Sequence, residues 1–547
     1  MPATPLRRLA ALTAAAALTL TACSSGTGSG GTSSTKAADD GLLKLIGWPL
    51  TPTFVHNYNP GAPTKGPLLN MMYEPLVRVD DNHMELKPYL AESWNWSADA
   101  KTLTMKLRTN ATWSDGKDFT SADVKFSFDT LPKKYPDLPM TRPSFTSLET
   151  PDPDTVVFTF DKPARVMLAD WGWTYGLVMP EHIFASQDLS TWTNPTPVTT
   201  GPFTLDRFTP QQITLKVRND WWGGPAKGVK SVKILAAGSP DAAQSALIKQ
   251  EADWANVMWS DPAQWTSKPE HRFWQATSAY RMIAFNLDKQ PFGDIHLRRA
   301  LYAAFDDAKL VQVLHNGTQI ANVTGMDSKV FGQTVAPEFR DKLHTPDPAT
   351  AKSELSAGGY TITGGALVKD GTTTKLTLSG REDDATAMRV IAAQWKEALG
   401  LDVPVRTMGE DTFVDQLKKG DIDLYMWQGG GCAVYCNFNA LNSAFAAPAG
   451  KNAEDNYGRV RDTQLDTLLN KLAAATTDQD VQAIGWDVQR RYVDQRFNFP
   501  IGASGASVTV NDTRWKFPQQ GQGDYLPALG LAAQPAVAIM NLEPAAK

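Results

Sequence analysis

Four motifs follow one another between Met72 and Val124: Met72-Tyr73-Glu74-Pro75-Leu76, Leu90-Ala91-Glu92-Ser93-Trp94, Trp113-Ser114-Asp115-Gly116-Lys117 and Thr120-Ser121-Ala122-Asp123-Val124. Between the second and third motifs, Lys101 to Arg108 alternates apolar and polar residues, which predicts a half-buried strand, and Thr155 to Phe160 has the same pattern. Ser114 to Lys117 is typical of a turn. Thr120 then caps a short helix, with Asp123 in its first turn. The stretch therefore predicts an α+β unit of strand pairs and short helices.

Further along the chain, helices and strands alternate. A helix over Arg381–Gly400 precedes a predicted strand over Leu401–Val405, and a short helix ending at Gly420 precedes a strand over Asp421–Trp427. The same order occurs once earlier, where a helix precedes the strand at Glu251–Val257. This alternation predicts a mainly parallel α/β sheet, in which ligands sit at the carboxyl ends of the strands.

These motifs, taken together, resemble one protein family. The four motifs are joined by further matches at Thr200-Gly201-Pro202-Phe203, Asn219-Asp220-Trp221-Trp222 and Ile283-Ala284-Phe285-Asn286. In this order they are similar to the oligopeptide-type (family 5) extracellular solute-binding proteins of ABC importers. The resemblance implies an α/β, two-lobed periplasmic-binding-protein-like fold with an extra α+β subdomain, a hinge between the lobes and an interlobe ligand cleft.

The family resemblance also implies domain boundaries. Residues 41–72, 185–283 and 499–547 would form the core of the first lobe, residues 73–184 its extra α+β subdomain, and residues 284–498 the second lobe. The two crossing strands would lie near Met282–Phe285 and Phe497–Pro500. Within the motifs, Pro75, Trp94 and Trp113 are expected to fix packing and turns rather than to contact a ligand.

The N-terminus has the parts of a signal peptide. Arg7 and Arg8 precede an apolar run from Leu9 to Leu20, and small residues precede Cys23, so residues 1–22 are predicted to be removed. A cysteine at this position resembles a bacterial lipoprotein box, in which Cys23 is acylated; the alternative is ordinary cleavage, with Cys23 an incidental thiol. Residues 23–40, rich in Ser, Gly and Thr, are expected to act as a flexible tether.

Charge and cysteine content narrow the class of protein. The formal net charge of -5 argues against a nucleic-acid partner. Apart from Cys23, the chain contains Cys432 and Cys436, which lie in a glycine-rich segment flexible enough to bring them together. In an exported protein this spacing favours a small loop-closing disulfide. One alternative is two free thiols. A zinc site is a weaker alternative, because no His lies nearby to complete four ligands.

A binding protein that closes on its ligand must touch that ligand with both lobes. Polar and aromatic residues in loops of both halves are therefore the predicted ligand contacts, although each aromatic could instead belong to a core. The candidates are Asn57, Tyr58, Asn59, Trp171, Trp173, Tyr175, Trp254, Asn256 and Trp259 in the first lobe, and Trp427, Tyr435, Phe438 and Asn439 in the second.

The predicted class of ligand depends on whether the site has a carboxylate that could bind a peptide ammonium. The resemblance implies that peptide-binding members anchor the peptide ammonium with an aspartate just after the strand that ends at Trp427, yet Gln428 to Phe445 contains no Asp or Glu. Asp253 or Asp261 could substitute for it. An oligopeptide or peptide-like solute is the first expectation. An oligosaccharide is the alternative, because amides and aromatic faces suit sugar rings, and nickel, haem or other solutes stay open.

Other classes of protein find little support in the sequence. No H-E-x-x-H, G-x-S-x-G or Walker A motif is present, and the seven histidines are scattered. A cell-envelope hydrolase and a ligand sensor are the alternatives from other classes. No catalytic residue, metal or cofactor is expected. The expected partners are ABC permease subunits with cytoplasmic ATPases, and a monomer attached to the membrane through its lipid is predicted.

Overall fold

The computed structural model of the protein describes residues 40–47, 50–80, 85–136, 145–171, 176–259, 261–275, 279–314, 320–430, 434–448, 451–453, 455–504, 507–519 and 534–545. The predicted signal peptide, Cys23 and all of the predicted tether except Asp40 lie outside the described residues. Within the described part, no helix combines the length and apolar character needed to cross a membrane.

The first lobe is built on a mixed seven-stranded sheet. In spatial order its strands are His271–Gln275, Ser507–Asn511, Trp254–Ala255, Leu42–Ile46, Ser231–Leu235, Gln212–Val217 and Phe203–Thr209. Leu42–Ile46 pairs in parallel with Ser231–Leu235 and with Trp254, and the remaining pairs are antiparallel. The expectation of a mainly parallel sheet is therefore wrong for this lobe, and the strand predicted at 251–257 is reduced to two residues.

The α+β unit predicted from the four motifs is present. Its four-stranded antiparallel sheet consists of Ala91–Trp96, Thr102–Leu107, Thr155–Thr159 and Ser147–Asp152, beside a hairpin of Val77–Asp80 and Glu85–Pro88. Helix Ser121–Lys125 begins with the expected capping box of Thr120 and Asp123. Trp113 is fully buried, and its indole Nε1 donates to Asp123 Oδ2 at 3.2 Å, which confirms its structural role.

One hydrophobic core joins the α+β unit to the seven-stranded sheet, since Trp113 and Phe158 belong to the same contiguous cluster as Leu43 and Val232. The unit therefore packs as part of the first lobe. The helices of this lobe are Ser121–Lys125, Leu131–Lys134, Leu168–Trp171, Glu181–Phe184, Pro240–Ile248, Pro262–Thr266 and Gln534–Met540. A further hairpin pairs Trp515–Lys516 with Glu543–Pro544.

The second lobe has its own five-stranded sheet and its own core. The spatial order of the strands is Val405–Met408, Leu378–Arg381, Leu424–Gly430, Ala279–Phe285 and Asn498–Ser504. The helices are Ile295–Ala303, Asp307–Leu314, Ser328–Phe331, Pro348–Ala357, Ala385–Leu399, Glu410–Lys419, Val434–Asn439, Thr463–Ala473 and Asp478–Gln495. A small antiparallel sheet of Thr361–Thr363, Ala366–Lys369 and Thr372–Thr374 is added to this lobe.

Helix Ala385–Leu399 shows how the sequence pattern sets the packing. Its apolar positions at helical spacing, such as Ile391 and Trp395, are fully buried, and Gly400 ends it in the left-handed conformation with φ 76°. The strand that follows is Val405–Met408 rather than the predicted Leu401–Val405. Pro404 has no backbone N–H to donate to a sheet, so pairing starts after it.

The chain passes between the two large sheets at different residues from those predicted. His271–Gln275 lies in the first-lobe sheet, whereas Ala279–Phe285 lies in the second-lobe sheet; on the return, Asn498–Ser504 lies in the second and Ser507–Asn511 in the first. The changes therefore fall between Gln275 and Ala279 and between Ser504 and Ser507.

The predicted crossings near Met282–Phe285 and Phe497–Pro500 are wrong, because these residues pair with each other inside the second-lobe sheet, for example Ile283 with Phe499. The predicted boundaries at 283/284 and 498/499 consequently cut through strands. The family resemblance implied the approximate position of the crossings but not the sheet that each strand of this chain joins, so the predicted positions are several residues off.

Asp307 is a buried carboxyl group in the second lobe. Its side chain is 1% exposed, Oδ2 accepts the backbone N–H of Ala321 at 2.8 Å, and Oδ1 has no partner among the described residues. Burial raises the pKa of Asp307 to about 7, because desolvation of the carboxylate outweighs the stabilising backbone N–H of Ala321.

Asp307→Asn is expected to remove part of the pH dependence of stability. Between about pH 4 and pH 7 the folded protein keeps a proton that the unfolded chain has lost, so the wild-type free energy of unfolding falls as pH rises and the loss is complete above pH 7. Urea titrations at pH 5 and pH 8 should show that the free energy of unfolding falls by on the order of 1 kcal/mol less in the variant than in the wild type. Exposed Asp161→Asn is the control and should behave as wild type; equal declines in all three proteins would contradict the assignment.

Candidate functional site

Most of the predicted first-lobe contacts are core residues. Tyr58, Asn59 and Trp254 are fully buried and Trp171 is 3% exposed. The Asn59 amide donates to the carbonyls of Leu189 and Trp192 at 2.9 and 3.0 Å, and the Trp171 ring packs among phenylalanines of the α+β unit. The structure places these four residues in the core of the lobe, and their contact with a ligand stays a prediction. Their aromatic and amide groups are used in packing and in holding loops.

Three further first-lobe candidates also have structural partners. Trp259 is 6% exposed, stacks on Trp265 with ring centres 5.1 Å apart, and donates from Nε1 to Thr509 Oγ1 at 3.1 Å. The amide of Asn57 closes its own loop by donating to the Thr64 carbonyl at 2.9 Å. Asn256 is also buried, at 8% exposure. Trp173 and Tyr175 lie outside the described residues and stay predictions.

The second lobe has a pocket on one face of its sheet. Ala279–Phe285 and Leu424–Gly430 are antiparallel neighbours, with Met282 opposite Trp427. Because side chains alternate along a strand, every second residue of both strands projects to the same face. That face provides Tyr280, Met282, Ala284, Tyr425, Trp427 and Gly429 to a cavity of about 240 Å³, which we call the second-lobe pocket.

Trp427 forms the aromatic wall of the second-lobe pocket. Its ring lies 5.8 Å from that of Phe413 and meets the ring of Tyr457 edge-on at 5.9 Å, and it stays partly exposed. The guanidinium of Arg381 sits 5.7 Å from the ring centre and pairs with Asp384. Trp427 is thus supported from several sides while part of its surface faces outward, which suits stacking against a ligand.

The floor of the second-lobe pocket is polar and uncharged. Tyr492 donates from its hydroxyl to Asn498 Oδ1 at 2.5 Å, and Tyr280 hydrogen-bonds to Tyr492. Burial raises the pKa of Tyr280 to about 12, so this phenol remains protonated at neutral pH. Gly429 lies directly on the Tyr280 ring, since a Cβ there would come within 2.7 Å of Cζ. The glycine therefore lets the strand lie close over the tyrosine.

The rim of the second-lobe pocket carries one acidic side chain that sequence reasoning missed. Asp455 lines the pocket, is exposed, and makes no ion pair with any described residue. Its neighbour Asn456 is held rigidly, because its amide donates to the carbonyls of Leu441, Asn442 and Val460 at 2.9–3.1 Å. The sequence signal was the acidic and aromatic run Glu454-Asp455-Asn456-Tyr457, which lies beyond the segment where an anchor was expected.

The segment after Trp427 is helical over Val434–Asn439, and the helical period decides which of its residues face the pocket. Cys436, Asn437, Ala440 and Leu441 line the cavity. Phe438 is 1% exposed, packs on Tyr492 and is not among the lining residues, so its contact with a ligand stays a prediction. Tyr435 and Asn439 are half-buried and are not among the lining residues.

The structure describes only one of the two cysteines that are predicted to pair. Cys436 is disulfide-bonded and lines the pocket. Cys432 lies outside the described residues, so the pairing of Cys432 with Cys436 stays a prediction. In the described part of the chain, no three His, Cys, Asp or Glu side chains gather as a metal site.

The two acids proposed as substitute anchors are used elsewhere. Asp253 is 2% exposed and pairs with Arg514 at 3.2 Å while accepting the backbone N–H of Lys44. Asp261 caps helix Pro262–Thr266 by accepting the N–H of Ala263 at 3.0 Å. Neither lines the second-lobe pocket, and among the described lining residues the carboxylate is that of Asp455.

Comparison with known proteins identifies the family to which the chain belongs. Residues 85–450, more than half of the chain, match the family model described as bacterial extracellular solute-binding proteins, family 5 Middle. The chain belongs to this family. Family 5 proteins are transport proteins that bind solutes, in agreement with the resemblance drawn from the motifs.

Two relatives show how far the similarity of this family 5 protein extends. A Brucella ovis protein named as an ABC transporter peptide-binding protein is 30% identical over 318 residues, which span 56% of this chain and 58% of that protein. The crystal structure of a periplasmic oligopeptide-binding protein from Thermotoga maritima matches with a TM-score of 0.80 at 22% identity, covering 93% of this chain and all of the other. A mannohexaose-bound structure of the Thermotoga protein matches with a TM-score of 0.71 at 21% identity, covering 93% and 99%. These likenesses show a two-lobed α/β fold.

Proposed function

We propose that the protein is the exported solute-binding component of an ABC importer and that it captures an oligopeptide or peptide-like solute in the cleft between its lobes. Membership of family 5 and the peptide-binding names of its Brucella and Thermotoga relatives support this proposal. The protein acts as a monomer without catalysis and delivers the solute to permease subunits powered by cytoplasmic ATPases. Cys23 carries the lipid anchor that keeps it at the extracytoplasmic face of the membrane.

The observation that carries the choice of solute is a carboxylate that makes no ion pair with any described residue and lies beside aromatic rings. Asp455 lines the second-lobe pocket together with Trp427 and Tyr457. A peptide ammonium that leaves water for a closed cleft needs a charged partner, because an isolated buried charge is costly. Asp455 supplies that partner, and an aromatic face adds attraction for the cation.

The solute class is tested by a thermal-shift screen. A ligand that binds only the native state raises the melting temperature by mass action. Pools of tripeptides with free N-termini are expected to stabilise the protein, whereas N-acetylated pools and cello- or xylo-oligosaccharides are not. Stabilisation by the oligosaccharides and by no peptide pool would contradict the proposal.

An oligosaccharide is the second candidate, because the floor of the pocket is neutral. Tyr280, Tyr492 and Asn498 offer hydroxyl and amide groups, and Gln428 lies on the rim beside Trp427. Such groups can bind sugar hydroxyls while the indole face covers an apolar sugar face. The Thermotoga structure with bound mannohexaose shows that this fold accommodates such a ligand in that protein.

The lipid anchor has its own test. Cys23→Ser is expected to prevent acylation, so that the exported protein moves from the membrane fraction to the culture supernatant or periplasmic fraction. Labelling with a radioactive fatty acid should mark the wild type and not the variant. Labelled Cys23→Ser protein that stays with the membrane would contradict the anchor.

A further inference from the structure

A second contact between the lobes lies away from the crossing strands. The turn Arg165–Met167 belongs to the α+β unit of the first lobe, and it packs against helix Thr463–Ala473 of the second. Val166, partly buried, joins the hydrophobic cluster of the second lobe that contains Leu465 and Leu469. Val166 of the first lobe thus packs into a cluster whose other described members belong to the second lobe.

Arg165, next to Val166, binds the second lobe through a bidentate ion pair. Its Nε donates to Asp478 Oδ1 at 2.6 Å and its Nη2 donates to Asp478 Oδ2 at 2.7 Å. Two parallel charge-assisted hydrogen bonds fix both the distance and the orientation of the groups they join. Arg165 holds the pKa of the Asp478 carboxyl below its usual range.

Asp478 is well placed to be such a partner. It is the first residue of helix Asp478–Gln495, which Thr477 caps by accepting the N–H of Asp480 at 3.1 Å. Helix Asp478–Gln495 is anchored in the second-lobe core by Val488 and Tyr492. The ion pair at Asp478 therefore connects the first lobe to a helix that is fixed in the core of the second lobe.

We propose that Arg165 and Val166 form a latch that holds the α+β unit against the second lobe and thereby stabilises the closed arrangement of the two lobes. Contacts that exist in only one arrangement shift the balance between open and closed populations. Because the latch lies outside the second-lobe pocket, it sets how readily the lobes separate without touching the solute. It rests on the two-lobed closure used by the proposed function, but not on any class of solute.

Arg165→Gln tests the latch by small-angle X-ray scattering of the protein without added solute. The variant should have a larger radius of gyration than the wild type, reflecting an open population that increases about three- to tenfold, as expected for one well-formed exposed ion pair. Salt at 1 M should enlarge the wild type and leave the variant unchanged, because salt screens the same pair. The N-terminal segment is identical in all variants, so the difference reports the lobes.

Arg490→Gln is the matched control, since Arg490 makes a comparable pair with Glu338 entirely inside the second lobe. It should leave the radius of gyration at the wild-type value. Asp478→Asn removes the latch from the other side and should act like Arg165→Gln, with faster hydrogen exchange across residues 163–168 in both. Equal radii and equal exchange in all variants would overturn the latch. Because no solute is used, that outcome leaves the proposed function intact, and a failed ligand screen leaves the latch intact.

Discussion

Asp455→Asn is expected to weaken binding of peptides with a free N-terminus by about a hundredfold or more, while the melting temperature stays within about 2 °C of the wild type. The substitution removes the charge that offsets the desolvated ammonium and leaves a near-isosteric amide in its place. Asp455 is exposed and makes no ion pair with a described residue, so folding depends little on its charge. Calorimetric titration with the tripeptides retained in the thermal-shift screen measures the affinity.

Two controls separate an ammonium anchor from a general charge effect. Asp421→Asn removes an exposed carboxylate of the same lobe outside the pocket and should leave the affinity unchanged. N-acetylation of the peptide should cost the wild type about as much affinity as the substitution does, and should cost the Asp455→Asn protein little more, because the two changes remove the same interaction. Additive losses would show that Asp455 and the ammonium do not meet.

Trp427→Ala is expected to weaken solute binding by about ten- to hundredfold, the cost of truncating an aromatic anchor. The indole is partly exposed at the pocket wall, and the rings of Phe413 and Tyr457 contact it only at 5.8–5.9 Å between centres. Loss of the side chain therefore removes more of the surface that contacts the ligand than of the packing inside the lobe. Titration of the folded variant and its thermal unfolding curve are the two measurements.

Trp486→Ala is the matched control for Trp427→Ala. Trp486 is also half-buried in the second lobe, where its Nε1 donates to the Gln333 carbonyl at 3.1 Å, and it does not line the pocket. Both variants should lose a similar modest amount of stability, but only Trp427→Ala should lose affinity. A collapse of the melting temperature of Trp427→Ala with normal affinity of the folded fraction would make Trp427 a core residue.

The local structure of this chain follows from its sequence because the deciding interactions are short-range. Thr120 and Asp123 reciprocally cap one helix, and Gly400 and Gly420 end two others with φ 76°, a conformation that other residues adopt at a cost. The alternating strand at Thr102–Leu107 is likewise encoded within its own residues. These signals predict the helices and strands, whereas the two-lobed arrangement came from the family resemblance that the motifs carry.

The site was harder to predict, because burial is decided by residues that are distant in sequence. Tyr58 and Trp254 are residue types that often contact ligands. Both are nevertheless buried in the core that the seven-stranded sheet shares with the α+β unit. Phe438 lies in the core because its segment, predicted to be a loop, forms a helix that turns this side chain inward. Asp455 approaches Trp427 only through the tertiary fold, so no spacing rule links the two residues.

Equilibrium dialysis against mixed solutes shows which class of solute the protein binds and whether Asp455 anchors it. The protein is dialysed against a tripeptide library with free N-termini, the same library after N-acetylation, and a pool of cello- and xylo-oligosaccharides, and the retained solutes are quantified by mass spectrometry. We expect saturable one-to-one retention of free tripeptides that Asp455→Asn abolishes, with little retention of the other two pools. Retention of oligosaccharides alone, at equal levels in the wild type and in Asp455→Asn, would contradict it.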